Sequence, residues 1–409
     1  MRDPSLPHHG DLPSRPRGLQ LIDSAGVAPA LAALAQARGV EIRVLDATGA
    51  PDPDSSAIRL QSVPATADEH WFVHVGRGFV PVRFHLPGDV AELVISAAQT
   101  EAQCSAAADV LVQLGLHVLL APARPGLLVD RIRHAYLNEG LALLGEGVAA
   151  ADVEQAGRHA GFVAGPLLLL DEQGLATTDQ LYHQSLGEHH CCSHDHHHHG
   201  HGANHGHDHT HDDAHTHHGH DHGHNHGHGH GHDHEHDRGH GHGHGHEHDH
   251  GHSHGHAVEP GSWPVLTEAA AYAMEKMAHG FQRKGRAAGG GFYDHDDDED
   301  GQEEAELWSG LERFRRRGLA LPEEDLRDRL RFIPCVEVLH ALSSRAMPNT
   351  TTASLAIRGA ALWRDPVAEP LAVIAALGHE AFAQRAAELA ERYGERFALP
   401  EGWQQRLPG

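Results

Sequence analysis

Between Glu188 and Ala257 the chain holds 33 of its 46 histidines, mostly as His-Gly, His-Asp and His-Gly-His repeats. Glycine at every second or third position raises the entropy cost of ordering such a backbone, and almost nothing in it can be buried. This stretch cannot build a core, so any fold must come from residues 1–187 and 258–409. Closing a long flexible loop costs only about (3/2)RT ln n, so a folded scaffold tolerates the insertion at a surface connection.

The tract nevertheless carries chemistry. Neutral imidazole is a borderline ligand suited to Zn, Ni, Cu and Co, and most imidazoles are neutral at pH 7. The expected ligands begin with the thiols of Cys191 and Cys192 and the first imidazoles, His194, His196, His197, His198, His199, His201, His205, His207, His209 and His211. They continue through His215, His217, His218, His220, His222, His224, His226, His228, His230, His232, His234 and His236. The last are His240, His242, His244, His246, His248, His250, His252, His254 and His256. No paired-Cys, paired-His spacing marks a single tetrahedral zinc. The expectation is several exchangeable Zn or Ni ions, released as imidazoles protonate below about pH 6. The plainer reading is an inert, solvated low-complexity expansion.

A length of 409 residues allows two or three domains. The formal charge of −26 speaks against nucleic acid and anionic membranes as partners, since both call for basic patches. Part of it lies in the run from Asp294 to Asp300, which reads as a solvated loop. The first residues contain no apolar signal core, and no run approaches a membrane span. Four cysteines without disulfide-like spacing fit a reducing compartment, and the expected location is cytoplasmic.

Residues 1–17, rich in Pro and His, read as a disordered arm. Leu19 to Ile22, an Ala/Leu-rich helix from Pro29 to Arg38, and Val40 to Leu45 then spell strand, helix, strand. Ala57 to Val63 reads as a third strand, and the partial alternation from His70 to Phe84 as one or two more. Glu101 to Leu116 is helical in pattern and Val118 to Leu120 a strand. From Arg124 the apolar spacing is that of buried helix faces up to the tract. The same spacing resumes from Thr267 to Phe281, breaks at Gly289-Gly290-Gly291 and the acidic run, and continues from Asp325 to Phe397.

Specific motifs sit on that pattern. Arg124-Pro-Gly-Leu-Leu-Val-Asp-Arg-Ile132 followed by Ala135-Tyr-Leu-Asn-Glu139 resembles the start of the helical domain of 3-hydroxyacyl-CoA dehydrogenases. Glu146-Gly147-Val148, Asp152-Val153, Gly161-Phe162, Gly165-Pro166-Leu167 and Leu170-Asp171 with Gly174-Leu175 continue it in order. Lys284 with Gly289-Gly-Gly-Phe-Tyr293, and Leu307-Trp308 with Gly310-Leu311, resemble two further family motifs. Arg331, the Pro334 to Leu342 helix, Pro370-Leu371 and Tyr393 to Phe397 look like a second copy of the helical domain.

The resemblance implies a catalytic His–Glu pair, an active-site Asn and a glycine-rich NAD loop, and the N-terminal third departs from each. Asp46 matches the acidic residue that holds a ribose hydroxyl, and is the one vestigial cofactor-binding candidate. The G-x-G-x-x-G glycines fall on Asp23, Ala25 and Ala28, which would obstruct and repel a pyrophosphate. The segment carrying the family's substrate-contacting Ser is much shortened after Pro64. The base falls on Arg83, its orienting Glu on Ile95 and the Asn on Asp130. A guanidinium cannot accept the substrate proton. No catalytic residue is therefore expected, unless His85, two residues along the strand from Arg83, is oriented by Glu92 in a shifted register. Otherwise His85 is an ordinary strand histidine.

The expected fold class is α/β plus all-α: a shortened Rossmann-like domain followed by two 6-phosphogluconate-dehydrogenase-C-like helical units. The boundaries are 1–17 for the arm, 18–123 for the degenerate Rossmann-like domain and 124–187 for the first half of helical unit one. The His-rich loop spans 188–257. Residues 258–318 complete unit one with the acidic loop, and 319–409 form unit two. The expected function is a catalytically degenerate dehydrogenase-like protein that binds transition metals as a buffer, chaperone or regulator, with NAD binding not expected. The alternatives are an active NAD-dependent 3-hydroxyacyl-CoA dehydrogenase of fatty-acid β-oxidation and a non-catalytic acyl-CoA-binding subunit. Expected partners are metal ions, with acyl-CoA and a second copy of the chain, joined through helical domains, as further candidates.

Overall fold

Leu19, Leu21 and Ile22, with Gln20 among them and all four buried, form strand β1 inside a six-stranded sheet. The computed structural model describes residues 18–45, 57–67, 69–73, 75, 78–185, 266–297 and 303–407. The N-terminal arm, Asp46 and the histidine tract lie outside the described residues. Helix α1 (Ala28–Arg38) starts with Pro29 in its first turn and stops at Gly39, whose φ of 68° suits a residue without Cβ. Strand β2 (Ile42–Leu45) returns parallel to β1 at one sheet edge. Strand β3 (Ile58–Ser62) pairs parallel on the other side of β1.

The stretch expected to add strands from His70 instead opens with a short helix, α2 (Glu69–Val73). Among the described residues only β4 (Val80–His85) is extended there. The turn Leu86–Asp89 then reverses the chain into an antiparallel β5 (Val90–Ile95), which the sequence reading missed. Helix α3 (Glu101–Gln113) begins with a reciprocal cap between Thr100 and Gln103, and β6 (His117–Pro122) closes the order β2-β1-β3-β4-β5-β6. Val82, Phe84, Ala91 and Leu93 face a core with Leu31, Val110 and Leu111. Val63, Val90 and Val94 belong to the helical core on the opposite side.

That helical core centres on α4 (Leu128–Glu146), where 15 residues are buried. It is followed by α5 (Ala150–His159), α6 (Pro166–Gln173) and α7 (Leu175–Ser185). Helix α8 (Glu268–Glu275) is capped by Thr267 and runs into a π turn over Lys276–Gly280, so the helix anticipated to Phe281 changes geometry near its end. The acidic run, expected as a loop, is part of a hairpin, β7 (Tyr293–Asp297) with β8 (Glu303–Leu307). Asp171 explains its anchorage, accepting the amides of Phe292 and Tyr293 at 2.8 Å each. A side chain at Gly291 would overlap that carboxylate, which accounts for glycine before Phe-Tyr.

Four more helices complete the chain: α9 (Glu323–Ser343), α10 (Thr350–Ala360), α11 (Pro370–Leu377) and α12 (His379–Tyr393). They follow the order long, medium, short, medium of α4 to α7. Helices α6 and α11 each have eight residues, start at a proline and end at a positive-φ glycine, Gly174 or Gly378. The two runs touch through an antiparallel bridge between Phe162 and Trp363, each lying between the second and third helix of its run. Buried Arg329 of α9 is held by Glu139 and Glu146 of α4 at 2.6 Å each, and Arg396 grips the other side of Glu139 at 2.6 Å. Among the described residues no helix is long and apolar enough to cross a membrane.

Candidate functional site

The strand order reverses at β1, which has β2 on one side and β3 on the other. In open parallel sheets a ligand crevice lies outside the carboxyl ends of the strands at such a point. Here those ends carry Asp23, just after β1, and Ser62, the last residue of β3. The Asp23 carboxylate turns back over the start of α1. Its Oδ2 accepts the Ala28 amide at 2.8 Å, and its Oδ1 accepts the amides of Val27 at 3.1 Å and Ala25 at 3.2 Å. Ser62 Oγ donates to Asp23 Oδ1 at 2.8 Å and accepts the Ser24 and Ala25 amides at 2.8 and 3.0 Å.

Helix N-termini bind anions because their first amides have no partner within the helix. In this chain the Val27 and Ala28 amides at the start of α1, with the Ala25 amide of the loop before it, already hold an anion, the protein's own carboxylate. Burial by itself would raise the Asp23 carboxyl. The donors from Ala28, Ser62, Val27 and Ala25 outweigh it and hold the group below the usual carboxylate range.

The second constellation lies on the face of β4 and β5 that meets the helices. Arg83 pairs directly with Glu92 across the hairpin, and His85 shares their face by strand alternation. His85 Nε2 and Glu92 Oε2 are 2.8 Å apart, both buried. The structure thus brings the two candidate residues together. Ile95, where twelve-residue spacing puts the orienting carboxylate, is instead 42% exposed at the end of β5. The reason is the short turn after β4: the residue opposite Arg83 comes nine positions on, at Glu92.

Arg83 donates through Nε to Asp130 Oδ2 at 3.1 Å and through a second nitrogen to the Val63 carbonyl at 3.2 Å. The residues at the family's base and amide positions are therefore joined as an ion pair. Burial would raise the Asp130 carboxyl, but Arg83, His85 and His134 together hold it below its ordinary value. His134, one turn along α4, meets the Asp130 carbonyl through Nδ1 at 2.8 Å and Gln173 through Nε2 at 3.0 Å. Burial lowers its imidazole. Helix α10 seals this region: Arg358 Nε donates to the Gly88 carbonyl at 3.0 Å, and Gly359 packs against Val90 and Val129. His134, Gln173 and the α10 cover carried no sequence signal, because nothing in their local pattern points toward the sheet.

A cluster of Asp179, His183 and His279 also converges among the described residues. Of the expected metal ligands in the tract, from Cys191 to His256, all lie outside the described residues.

The architecture is that of a Rossmann-like α/β sheet joined to a helical domain, and known proteins share it. Residues 126–199 match the C-terminal domain of 3-hydroxyacyl-CoA dehydrogenases. The dehydrogenase part of a multifunctional enzyme from C. elegans has the same fold, with a TM-score of 0.52 at 11% identity over 96% of this chain and 89% of that one. So does 3-hydroxybutyryl-CoA dehydrogenase from Escherichia coli K12, with a TM-score of 0.51 at 14% identity over 94% and 80% of the two chains. Among curated proteins none matches the sequence. Over residues 126–199 the chain is thus similar to the C-terminal domain of the 3-hydroxyacyl-CoA dehydrogenases, and the chain as a whole shares their fold.

Proposed function

We propose that this is a dehydrogenase-like protein that has lost turnover and works with transition metals through its histidine tract, as a buffer, chaperone or metal-responsive regulator. The observation that carries the loss of turnover is the capture of the α1 amides by Asp23. A pyrophosphate would have to displace an internal anion already held by three backbone donors and Ser62, so these residues do not fit a dinucleotide as they stand. The Arg83–Asp130 ion pair agrees, since an ion-paired guanidinium has no lone pair with which to accept a proton. The composition of residues 188–257 supports the metal role.

Calorimetric titration tests the first part: NADH should show no measurable heat, and low-micromolar affinity would overturn the reading. For the second, equilibrium dialysis should find several Zn²⁺ or Ni²⁺ per chain, and about one or none after residues 188–257 are replaced by a short linker. Equal binding by both proteins would remove the tract from the function. In the same reading the runs α4–α7 and α9–α12 are two copies of one helical unit, supported by their shared helix order and matching proline and glycine positions.

The 2.8 Å contact between His85 and Glu92 favours a second reading, an NAD-dependent 3-hydroxyacyl-CoA dehydrogenase with its base displaced by two residues. Acetoacetyl-CoA reduction by NADH that disappears in His85→Ala would establish it. An acyl-CoA-binding subunit without chemistry is separated from both by a thermal shift with acyl-CoA in the absence of turnover.

A further inference from the structure

Asp179 and His183 sit four residues apart on α7, a spacing that places both side chains on one helix face. His279 reaches the same face from the π turn after α8; such turns, with one residue more than an α-turn, re-aim side chains and occur frequently at functional sites. His279 Nε2 lies 3.1 Å from Asp179 Oδ2, and His183 Nε2 lies 3.4 Å from Asp179 Oδ1. The three ligand atoms fall within 4.8 Å of one another. Around a tetrahedral zinc with bonds of 2.0–2.1 Å, neighbouring ligand atoms are about 3.3 Å apart. The two Asp-to-His separations are close to this but run to different oxygens, His279 to Oδ2 and His183 to Oδ1, so a single ion would draw both rings toward one oxygen. The remaining His-to-His gap is within the swing of His279, whose ring is 53% exposed.

His279 contacts Oδ2, whereas the 3.4 Å approach of His183 to Oδ1 is a charge contact that makes no hydrogen bond. Asp179 Oδ1 is shut off from solvent and accepts no hydrogen bond. A buried carboxylate oxygen in that condition calls for a partner. Two imidazoles and one carboxylate are a donor set for borderline divalent ions, with a fourth position left for water.

We infer that Asp179, His183 and His279 form a discrete site for a divalent ion of the zinc and nickel class, built into the folded body and separate from the tract. Each imidazole would give its Nε2 lone pair and keep its proton on Nδ1, while Asp179 binds as the anion. The ion would cross-link α7, which ends at Ser185, to the π turn that follows α8, thereby tying together the two elements that flank the insertion. The inference holds whether or not the tract itself takes metal.

Thermal unfolding of the full chain with and without ZnCl₂ tests it, with bound zinc counted by elemental analysis in the same samples. At a free zinc concentration 100 times the dissociation constant, Tm should rise by about 5 °C. His279→Ala should keep the metal-free Tm within about 1 °C, because its ring is half exposed, and lose most of the rise. His183→Gln should lose it as well. No rise in the wild type, or the same rise in both variants, overturns the site. Zinc counts report the tract independently: many ions with no His279-dependent rise would leave the tract as the metal binder and sink this site. A His279-dependent rise with a single ion per chain would do the reverse.

Discussion

The buried contact between Arg83 and Asp130 can be tested quantitatively. The two side chains are 17% and 8% exposed, and Nε and Oδ2 lie 3.1 Å apart. Unit charges about 4 Å apart attract by roughly 4 kcal/mol at an effective dielectric of 20. Removing one partner from a buried pair costs about 3–5 kcal/mol, because the other charge stays behind. Arg83 retains some water and the Val63 carbonyl, so Asp130→Asn should cost about 3 kcal/mol, the lower end of that range. Arg83→His, which strands the carboxylate, should cost a similar amount. Together the two changes put back the family's His and Asn and remove both charges at once. The double variant should be no less stable than either single, a coupling of about 3 kcal/mol. Urea unfolding of the four proteins at pH 7 measures this, and each single should also drop Tm by about 4–5 °C. Additive losses near 6 kcal/mol in the double would refute the reasoning, since they would mean the pair is not energetically coupled. The double variant should still not reduce acetoacetyl-CoA, because Asp23 keeps the α1 amides. The pair also sets a pH dependence. The Asp130 carboxyl titrates lower in the folded chain than its ordinary 3.8, so its contribution is full above that value and fades as pH falls below about 4. Asp130→Asn should lack that part of the acid limb.

Three further outcomes follow from other contacts. Asp23→Ala removes the acceptor for three amides and for Ser62 and should lower stability by about 1–2 kcal/mol by urea midpoint; an unchanged midpoint would deny the cap. Gly291→Ala forces a side chain into the Asp171 carboxylate that anchors Phe292 and Tyr293, and should cost at least about 2 kcal/mol in thermal melts. A loss under 0.5 kcal/mol, within the range of an ordinary surface change, would show that the hairpin needs no such anchor. Glu139→Gln leaves buried Arg329 and Arg396 short of one negative charge and should cost about 3 kcal/mol, whereas Glu139→Gln with Arg329→Met should recover part of the loss; a double variant weaker than the single would contradict this.

Much of the fold was legible from local pattern. Leu19 to Ile22 and the Pro29 helix read correctly because a largely apolar strand and a proline-started helix need no distant partner to be recognised. The motif from Arg124 to Glu139 read correctly because α4 is buried almost all round and tolerates few residue types. The misreadings have local causes too. Partial alternation near His70 resembles a strand, yet Glu69–Val73 closes one helical turn or so. The β4–β5 turn is short, so Glu92 rather than Ile95 lies opposite Arg83 and beside His85, the shifted pairing that the sequence offered as its exception. That Asp23, Ala25 and Ala28 stand where the resemblance would put glycines was visible in the sequence. That Asp23 would fold back and satisfy three amides was not, because it depends on Ser62 arriving from another strand. For the same reason His279 could not be paired with Asp179 and His183: the tract separates them in the chain.

The bridge between Phe162 and Trp363 has a bearing on stoichiometry. Val163 donates to the Leu362 carbonyl at 2.8 Å, and Arg364 donates to the Gly161 carbonyl at 3.0 Å, so the exchange is reciprocal between matching points of two similar helix runs. A reciprocal contact of this form is what a two-fold axis imposes when identical surfaces from separate subunits meet. Here it is made once, within one polypeptide, and Phe162 is wholly enclosed by it. A patch already joined to its counterpart cannot recruit a second chain. Any self-association must therefore use a different surface, and dilution should leave this junction intact.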